Sequence, residues 1–350
     1  MELQPINVGL IGFGFAGRTF HAPVIRAVAG LRLATILQRK GNDAANRYPD
    51  VRIARTTEEL LASDSIHLVV IATPNPSHFD LARQCLLAGR HVVIDKPFAT
   101  TYADAAELVS LADKCGRLLS VYQSRRFDGD FKTVRNLLQS EALGRVVLYE
   151  SHYDRYRLQL RPGAWREQAG PGNGVFFDLG PHLIDQALTL FGTPEAVSAD
   201  VRVERDGAVV DDAFDVTLFY PRLRAQLRGT MLASKPGPHF VIHGTKGSYI
   251  KRGLDPQEEA LKRGETPGGP EWGKESPEAW GTLSLVEGDK ITERAVPTEP
   301  GDYRQYYENV RDTILGKATL AVTPQAALSV MRVLELAHQS SREKRVIQYA

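Results

Sequence analysis

Along residues 1–123, short apolar runs alternate with segments in which apolar residues recur at helical spacing. Short apolar runs predict strands buried on both faces, and amphipathic segments between them predict helices. The predicted strands are Ile6–Ile11, Leu31–Leu37, Val51–Ala54, Ile66–Ala72, His91–Asp95 and Arg117–Tyr122, and the predicted helices are Gly17–Ala29, Asn42–Tyr48, one from Thr57, Ser77–Ala88 and Thr101–Lys114. This alternation predicts an α/β fold with a doubly wound parallel sheet.

A different pattern follows residue 123. The predicted elements are helices at Asp130–Ser140 and Leu179–Leu190, a long strand at Arg145–Asp154, hairpin strands between Ala196 and Ala295, and two final helices at Tyr303–Leu315 and Pro324–Arg342. A run of strands with few helices is typical of an α+β domain with a large, mostly antiparallel open sheet. We therefore expect two domains, residues 1–123 and 124–350.

The segment between Arg252 and Pro277 is rich in glycine, proline and charge. A segment of this length and composition predicts a long loop. It is either a lid over a binding site or a surface excursion.

Composition and charge narrow the class of protein. Hydrophobic residues make up 43% of the chain, and 43 Lys and Arg balance 42 Asp and Glu without a basic cluster. Nothing here indicates a nucleic-acid surface. Two cysteines, Cys85 and Cys115, predict neither a disulfide framework nor a zinc site, and we expect no metal ligands. No signal-peptide pattern and no apolar run of the ~18 residues needed for a membrane span are visible, so we expect a cytoplasmic protein.

A G-x-G-x-x-G motif joins the first strand to the first helix. Its six residues are Gly12, Phe13, Gly14, Phe15, Ala16 and Gly17. In this context the glycines allow a tight turn, a close approach of the backbone to a pyrophosphate, and close packing of helix on strand. The motif predicts a dinucleotide site of the Rossmann type.

The residues after the second strand bear on the choice of dinucleotide. An NAD site typically has an acidic residue there that binds the ribose 2′-hydroxyl, but this chain has Gln38, Arg39 and Lys40. Cations favour a 2′-phosphate, which predicts NADP, with NAD as the alternative. Arg39 and Lys40 could also be solvent-exposed charges on a turn that binds no ligand. Asp43, three residues after Lys40, is the acidic residue near this position.

Ligands of open parallel sheets bind at the carboxyl ends of the strands. Three predicted loops lie there and supply further candidates for cofactor binding. They are Thr73, Pro74, Asn75 and His78 after the fourth strand, Asp95, Lys96 and Pro97 after the fifth, and Gln123 and Arg126 after the sixth. Lys96 directly follows a buried strand, so it is either a proton-transfer or hydroxyl-orienting group or the partner of Asp95 in a salt bridge.

The stretch GVFFDLGPHLIDQA places three titratable groups in an apolar helix, namely Asp178, His182 and Asp185. Their spacing allows them to share one face. One interpretation is structural, with Asp178 near the helix cap, Pro181 in the first turn and Asp185 holding the His182 ring. The other interpretation is catalytic.

The combination of GFGFAG, TPNPSH, DKP and G-x-x-x-D-x-G-P-H resembles the Gfo/Idh/MocA oxidoreductase family over essentially the whole chain. The family's usual Glu-Lys-Pro is Asp95-Lys96-Pro97 here, a change that keeps the charge and the lysine. The resemblance implies that Lys96, Asp178 and His182 form the catalytic group. FHAPVI, SVYQSRRFDGDF and AWRE further resemble NADP-dependent scyllo-inositol dehydrogenases, which implies hydride transfer between nicotinamide and a ring hydroxyl or ketone of a cyclic polyol.

Substrate contacts and partners follow as expectations from this resemblance and from residue chemistry. Candidates for binding the polyol are Lys96, Arg126, Tyr153, Tyr156, Trp165, Arg166, Asp178 and His182. In the expected mechanism Asp185 fixes the imidazole tautomer of His182. Two alternatives stay open: an aldose or other sugar dehydrogenase, and a nucleotide-sensing regulator of the same fold. Relatives associate through the open sheet, so we expect a homodimer or homotetramer.

Overall fold

The computed structural model describes residues 5–161 and 163–349 and divides into two compact units. The first unit contains the residues up to Ser124 together with Gln257–Trp272 and Asp302–Leu328. The second unit contains Arg125–Pro256, Gly273–Gly301 and the residues from Ser329 onward. Two segments from late in the chain therefore belong to the first unit, a return that no local sequence pattern indicates.

The first unit is built on a six-stranded parallel sheet in the order β3-β2-β1-β4-β5-β6. Its strands are β1 (Ile6–Ile11), β2 (Leu31–Leu37), β3 (Arg52–Ala54), β4 (Leu68–Ile71), β5 (His91–Ile94) and β6 (Leu119–Val121). All residues of β1, β4 and β6 are buried, as their apolar runs predict. The doubly wound sheet is confirmed. Its strand order reverses beside β1 and β4, and the loops after these strands leave a crevice at their carboxyl ends.

The second unit is built on a nine-stranded sheet in the order β14-β13-β12-β11-β7-β10-β9-β8-β15. Its strands are β7 (Val146–Asp154), β8 (Ala196–Arg202), β9 (Ala213–Tyr220), β10 (Leu223–Thr230), β11 (Phe240–Gly244), β12 (Gly247–Lys251), β13 (Gly281–Glu287), β14 (Lys290–Val296) and β15 (Ile347–Gln348). Only β7 and β10 pair in parallel among these described strands. The mostly antiparallel sheet is confirmed.

Ten α-helices accompany the two sheets in the described residues. They are α1 (Ala22–Arg26), α2 (Asp43–Arg47), α3 (Thr57–Leu61), α4 (His78–Leu87), α5 (Tyr102–Cys115), α6 (Gly129–Gln139), α7 (Val175–Phe191), α8 (Gln257–Lys262), α9 (Arg304–Ile314) and α10 (Pro324–Glu343). Local chemistry sets the ends of α5: the Thr101 side chain accepts a hydrogen bond from the Asp104 amide, and Gly116 follows at φ 61°.

The expectation of a long loop between Arg252 and Pro277 is wrong for Gln257–Lys262, which form α8, whereas the residues from Glu265 to Ser276 are irregular as predicted. Gln257 at its first position is buried, and its Oε1 accepts hydrogen bonds from Trp272 Nε1 at 3.0 Å and from the Tyr303 amide at 2.8 Å. Polar composition did not reveal this helix because its buried glutamine binds Trp272, further along the same segment, and Tyr303, beyond it. Residues 257–272 pack as part of the first unit.

Candidate active site

The three glycines of the first turn meet different requirements. Gly12 has φ 99°, and a Cβ there would lie 2.5 Å from the Ala72 carbonyl oxygen, while a Cβ on Gly17 would collide with the Gly12 carbonyl. A Cβ on Gly14 would meet no described atom within 4 Å. Protein packing therefore requires glycine at two positions, and the open space at Gly14 fits a pyrophosphate that approaches the backbone. The turn suits a dinucleotide.

The helix after this turn differs from the prediction of one helix over Gly17–Ala29. Gly17–His21 form a π-helical turn, and the regular α1 covers only Ala22–Arg26. π turns are rare and occur often at functional sites. His21 ends the turn fully buried, with its Nδ1 2.6 Å from the Tyr307 hydroxyl and its ring 4.4 Å from that of Tyr122.

The loop after β2 presents two cations and uses its glutamine internally. Gln38 Oε1 accepts the Ala44 amide at 2.9 Å, and Gln38 Nε2 donates to Asp43 Oδ2 at 3.0 Å. Arg39 and Lys40 are exposed at the tip. The Asp43 carboxylate is therefore held by Gln38, and a ligand at this loop meets Arg39 and Lys40.

Arg55, after β3, is a feature of this loop that sequence reasoning missed. Its Nη1 donates to the carbonyls of Gln38 and Gly41, at 2.8 and 2.7 Å, and its Nη2 donates to Asn42 Oδ1 at 2.9 Å. Arg55 thus fixes the loop that carries Arg39 and Lys40 and adds a third positive charge. Its only sequence signal was a position at the carboxyl end of a neighbouring strand.

The candidates after β4 divide into exposed and buried residues. Pro74 is exposed, Thr73 is half-buried, and Asn75 and His78 are buried. His78 Nε2 lies 2.9 Å from the Thr73 carbonyl oxygen, and Nδ1 lies 2.9 Å from that of Pro97. Both ring nitrogens of His78 are therefore engaged by backbone carbonyl oxygens, and its contact with the cofactor stays a prediction.

The loop after β5 holds an ionised carboxylate beside Lys96. Asp95 Oδ1 accepts the Lys96 amide at 2.8 Å. Burial raises the pKa of Asp95, but the nearby His21 ring and the charges of Lys96 and His78 outweigh it and lower that pKa to about 2. Asp95 therefore carries a full negative charge at neutral pH, and Lys96 is half-buried at the carboxyl end of the strand.

Four other candidates for cofactor binding differ in exposure. Phe15 is 51% exposed at the glycine turn, whereas Phe13 is 9% exposed and packs edge-on against Tyr48. Gln123 follows β6 and is 2% exposed. Ala16 belongs to the same turn as Phe15. Of these side chains only Phe15 presents a large exposed surface.

In the second unit, α7 begins four residues earlier than the predicted Leu179. Gly174 precedes it at φ 96°, and the Asp211 carboxylate accepts the Phe176 amide at 2.7 Å. Burial raises the pKa of Asp211 to about 6, against the amide bond that favours its charge. The cap comes from a residue far along the chain, so no local signal revealed it. Asp178 lies in the first turn, but Pro181 lies inside the helix, beyond the position expected for it.

The Asp178 carboxylate faces two arginines. Arg166 Nε lies 3.4 Å from its Oδ1, and Arg155 Nη1 lies 4.0 Å from its Oδ2. The Arg155 guanidinium also lies 5.8 Å from the centre of the Tyr153 ring. Arg155 is a second residue that sequence reasoning missed, and its position at the end of β7 was the available signal. These charges favour the ionised form of Asp178.

His182 lies one turn further along α7 and is 8% exposed. Its ring centre is 6.4 Å from that of Tyr153, which is 2% exposed. The structure therefore places Asp178, His182, Tyr153 and Arg166 in one neighbourhood of the second unit. A carboxylate, an imidazole and a phenol grouped in this way can exchange protons with an alcohol.

The expectation that Asp185 fixes the His182 tautomer is wrong. Its Oδ2 accepts Arg126 Nε and its Oδ1 accepts Arg126 Nη2, both at 2.6 Å. The pair is buried, with side-chain exposures of 2% for Asp185 and 13% for Arg126. Two of the three guanidinium nitrogens of Arg126 are engaged by Asp185, and its contact with cofactor or substrate stays a prediction.

The remaining substrate candidates lie in the segment after β7. Tyr156 is 57% exposed and bridges to Leu232 through its backbone. Trp165 begins a short 3₁₀ turn, and the Arg166 guanidinium lies 4.5 Å from its ring centre. Trp165 therefore holds the arginine that faces Asp178, whereas Tyr156 is open to solvent.

Comparison with known proteins identifies the family. A model of the oxidoreductase family's NAD-binding Rossmann fold matches residues 6–123, and a model of the same family's C-terminal alpha/beta domain matches residues 135–349. The chain belongs to the Gfo/Idh/MocA oxidoreductase family. It is therefore a dehydrogenase with a Rossmann domain that binds NAD(P), acting on a CH–OH group of a small molecule.

Individual members of the Gfo/Idh/MocA family match the whole chain. The uncharacterized oxidoreductase YdgJ of Escherichia coli is 44% identical, over 97% of each chain. The scyllo-inositol 2-dehydrogenase (NADP(+)) IolW of Bacillus subtilis is 38% identical, over 99% of this chain and 96% of its own. The solved structure of the oxidoreductase YvaA from Bacillus subtilis superposes with a TM-score of 0.97 at 36% identity and covers both chains completely.

Two absences complete the description of this Gfo/Idh/MocA member. Among residues 5–161 and 163–349, no helix combines the length and apolar character that a membrane span demands. The same residues contain no group of three or more His, Cys, Asp or Glu side chains arranged to hold a metal ion.

Proposed function

We propose that this protein is an NADP-dependent dehydrogenase of a cyclic polyol, of the scyllo-inositol dehydrogenase type, which also reduces the corresponding ketone. The observation that carries the substrate class is the 38% identity to the scyllo-inositol 2-dehydrogenase IolW over 99% of the chain. The residues support an alcohol substrate, since the second unit offers Asp178, His182 and Tyr153 and the first offers Lys96.

In the proposed mechanism the protein's own residues manage the proton of the reacting hydroxyl. Bound nicotinamide supplies hydride acceptance on oxidation and hydride donation on reduction. His182 takes the hydroxyl proton on oxidation and returns it on reduction, because an imidazole can both accept and donate a proton. Lys96 donates a hydrogen bond to the same oxygen and stabilises its negative charge. Asp178, ionised beside Arg155 and Arg166, orients these groups electrostatically.

The cofactor is held by the first unit. The backbone of the glycine turn would bind the pyrophosphate at the open space beside Gly14. Arg39 and Lys40 would bind the 2′-phosphate of NADP, on a loop that Arg55 fixes. Lys96 and the loop that carries Thr73, Pro74 and Asn75 would contact the nicotinamide end.

The first test is a panel assay that follows NADPH absorbance. Purified protein is mixed with scyllo-inositol, myo-inositol or simple aldoses, each with NADP and with NAD. Turnover of scyllo-inositol with NADP and not with NAD supports the proposal. Turnover of aldoses alone favours a sugar dehydrogenase, and tight NADPH binding without turnover of any of these substrates favours a nucleotide sensor.

Cofactor preference has its own prediction. Arg39→Ala removes a charge-assisted contact, and such contacts contribute roughly 1.5–3 kcal/mol, so kcat/KM for NADPH should fall by about 10–100-fold while kcat/KM for NADH stays near its original value. The measurement is the ratio of the two constants. Arg83→Ala, at an arginine 52% exposed on α4, is the matched control. An unchanged ratio in Arg39→Ala would leave Arg39 as a solvated surface cation.

We further propose that the protein works as a homodimer or homotetramer through the outward face of the second sheet. On that face Ile250, which is 39% exposed, pairs with Val241 of β11. Static light scattering separates these states from a monomer.

A further inference from the structure

His78 joins two neighbouring loops of the first unit through both of its ring nitrogens. It is the first residue of α4 and is fully buried. Its Nε2 lies 2.9 Å from the carbonyl oxygen of Thr73, in the loop after β4, and its Nδ1 lies 2.9 Å from that of Pro97, in the loop after β5. β4 and β5 are paired neighbours in the sheet, so the ring links the loops at their carboxyl ends.

The chemistry of these two contacts specifies the protons on the ring. A backbone carbonyl oxygen only accepts hydrogen bonds, and a neutral imidazole has one N–H, whereas an imidazolium has two. A neutral His78 would therefore leave one of the two carbonyl oxygens facing a nitrogen lone pair at 2.9 Å, which is a repulsive contact. Both distances are equal and short, which favours a ring that donates on both sides.

The Asp95 carboxylate supplies a negative charge that favours a protonated His78. Asp95 directly precedes Lys96, and its Oδ1 accepts the Lys96 amide at 2.8 Å. Its Oδ2 lies 3.7 Å from Nε2 of the buried His21, whose Nδ1 faces the Tyr307 hydroxyl at 2.6 Å. Burial raises the pKa of Tyr307 well above its usual value, so Tyr307 keeps its proton and donates it to His21 Nδ1. The Nε2–H of His21 then points to Asp95.

Several influences on His78 compete. Burial is the largest and lowers the pKa of His78, and the charge of Lys96 acts in the same direction. The Asp95 carboxylate and the carbonyls of Pro97 and Thr73 raise it. The net direction of these influences is a lowered pKa for His78, set by burial. The geometry of the two carbonyl contacts opposes it, because they are equal in length and only the protonated ring donates to both.

We propose that His78 is protonated at neutral pH and is a positioning residue whose two carbonyl bonds fix the backbone carrying Lys96. The proposal deepens the proposed function, since it rests on Lys96 acting at the reacting hydroxyl. Loss of the His78 proton at alkaline pH breaks one of its two carbonyl bonds and loosens the loop after β5, so that activity declines as His78 titrates.

The protonation state is tested by NMR on the whole protein labelled with ¹⁵N-histidine, with the His78 signals assigned through His78→Gln. At neutral pH the expected spectrum shows both ring nitrogens of His78 protonated. His91 is an internal reference for a neutral ring: its Nδ1 accepts the Leu118 amide at 2.9 Å, and burial lowers its pKa to about 4. One bare nitrogen on His78 at neutral pH overturns the proposal, whatever substrate the enzyme uses.

The positioning role is tested by hydrogen exchange at the Lys96 amide. In His78→Gln this amide should exchange about tenfold faster than in the original protein, as expected when one hydrogen bond supporting the loop is lost. In His91→Asn, the matched control, its exchange should be unchanged. With an active substrate, the alkaline limb of the kcat profile should shift in His78→Gln alone. Unchanged Lys96 exchange in a folded His78→Gln refutes the positioning role, while an inactive original protein with a protonated His78 refutes only the proposed function.

Discussion

Replacing Lys96 by alanine is expected to lower kcat about 10²–10⁴-fold, the usual loss for one group that handles a proton or stabilises charge in the transition state. The variant keeps the Asp95 carboxylate and the main-chain bond from residue 96 to it, so its fold should be retained. The affinity for NADPH, measured by fluorescence, should change much less than kcat. The decisive quantity is kcat for polyol oxidation at saturating cofactor.

Two companion variants sharpen this result. Lys114→Ala, at an exposed lysine in the last turn of α5, should retain full kcat. Lys96→Arg keeps the charge but not the shape or the proton-transfer chemistry of an amine, so its kcat should stay low. Nearly full kcat in Lys96→Ala would remove Lys96 from the mechanism and leave the salt bridge with Asp95 as its role.

Replacing Asp185 by alanine should destabilise the second unit by roughly 3–5 kcal/mol, the effect of leaving one partner of a buried ion pair uncompensated. Both oxygens of Asp185 accept hydrogen bonds from Arg126, and the carboxylate is almost fully enclosed. Urea unfolding followed by tryptophan fluorescence measures the loss, since Trp165 and Trp280 both belong to this unit.

The double variant Arg126→Met with Asp185→Leu separates the charge effect from packing. Apolar residues of similar volume can replace a buried pair with little loss, so the double variant should be more stable than Asp185→Ala. Arg345→Ala, which breaks a mostly exposed pair with Glu343, should shift the unfolding midpoint far less because water screens it. If Asp185→Ala unfolds like Arg345→Ala, the Asp185 pair contributes little to stability.

The sheets could be predicted from the sequence because the apolar pattern within each strand indicates which of its residues are buried. Ile6–Ile11 and Leu31–Leu37 have the predicted bounds, since an apolar run fixes both ends of a buried strand. Features that depend on distant partners were not predictable. The start of α7 depends on Asp211, and the structure of residues 252–277 depends on Trp272 and Tyr303 binding Gln257.

The candidate site shows the same division. Glycine spacing predicted the turn at Gly12–Gly17 because each glycine answers a local need of the backbone. The family resemblance supplied Lys96, Asp178 and His182 as a set. The partner of Asp185 was not predicted. The spacing on one helix suggested that Asp185 binds His182, but helical spacing carries no information about Arg126, which lies more than fifty residues earlier in the chain. The two carbonyl partners of His78 were not predictable for the same reason, since they belong to separate loops.

The late segments of the first unit have a consequence for synthesis on the ribosome. Ser120 at the last strand of the parallel sheet binds the Val322 carbonyl and the Tyr306 hydroxyl, and Tyr306 and Tyr307 are fully enclosed. About 200 further residues must emerge after Ser124 before these partners exist, roughly 10–40 seconds of translation at typical rates. The nucleotide-binding half therefore cannot finish folding as it is made. The first unit remains incompletely folded until Asp302–Leu328, which follow most of the second unit in the chain, have been translated.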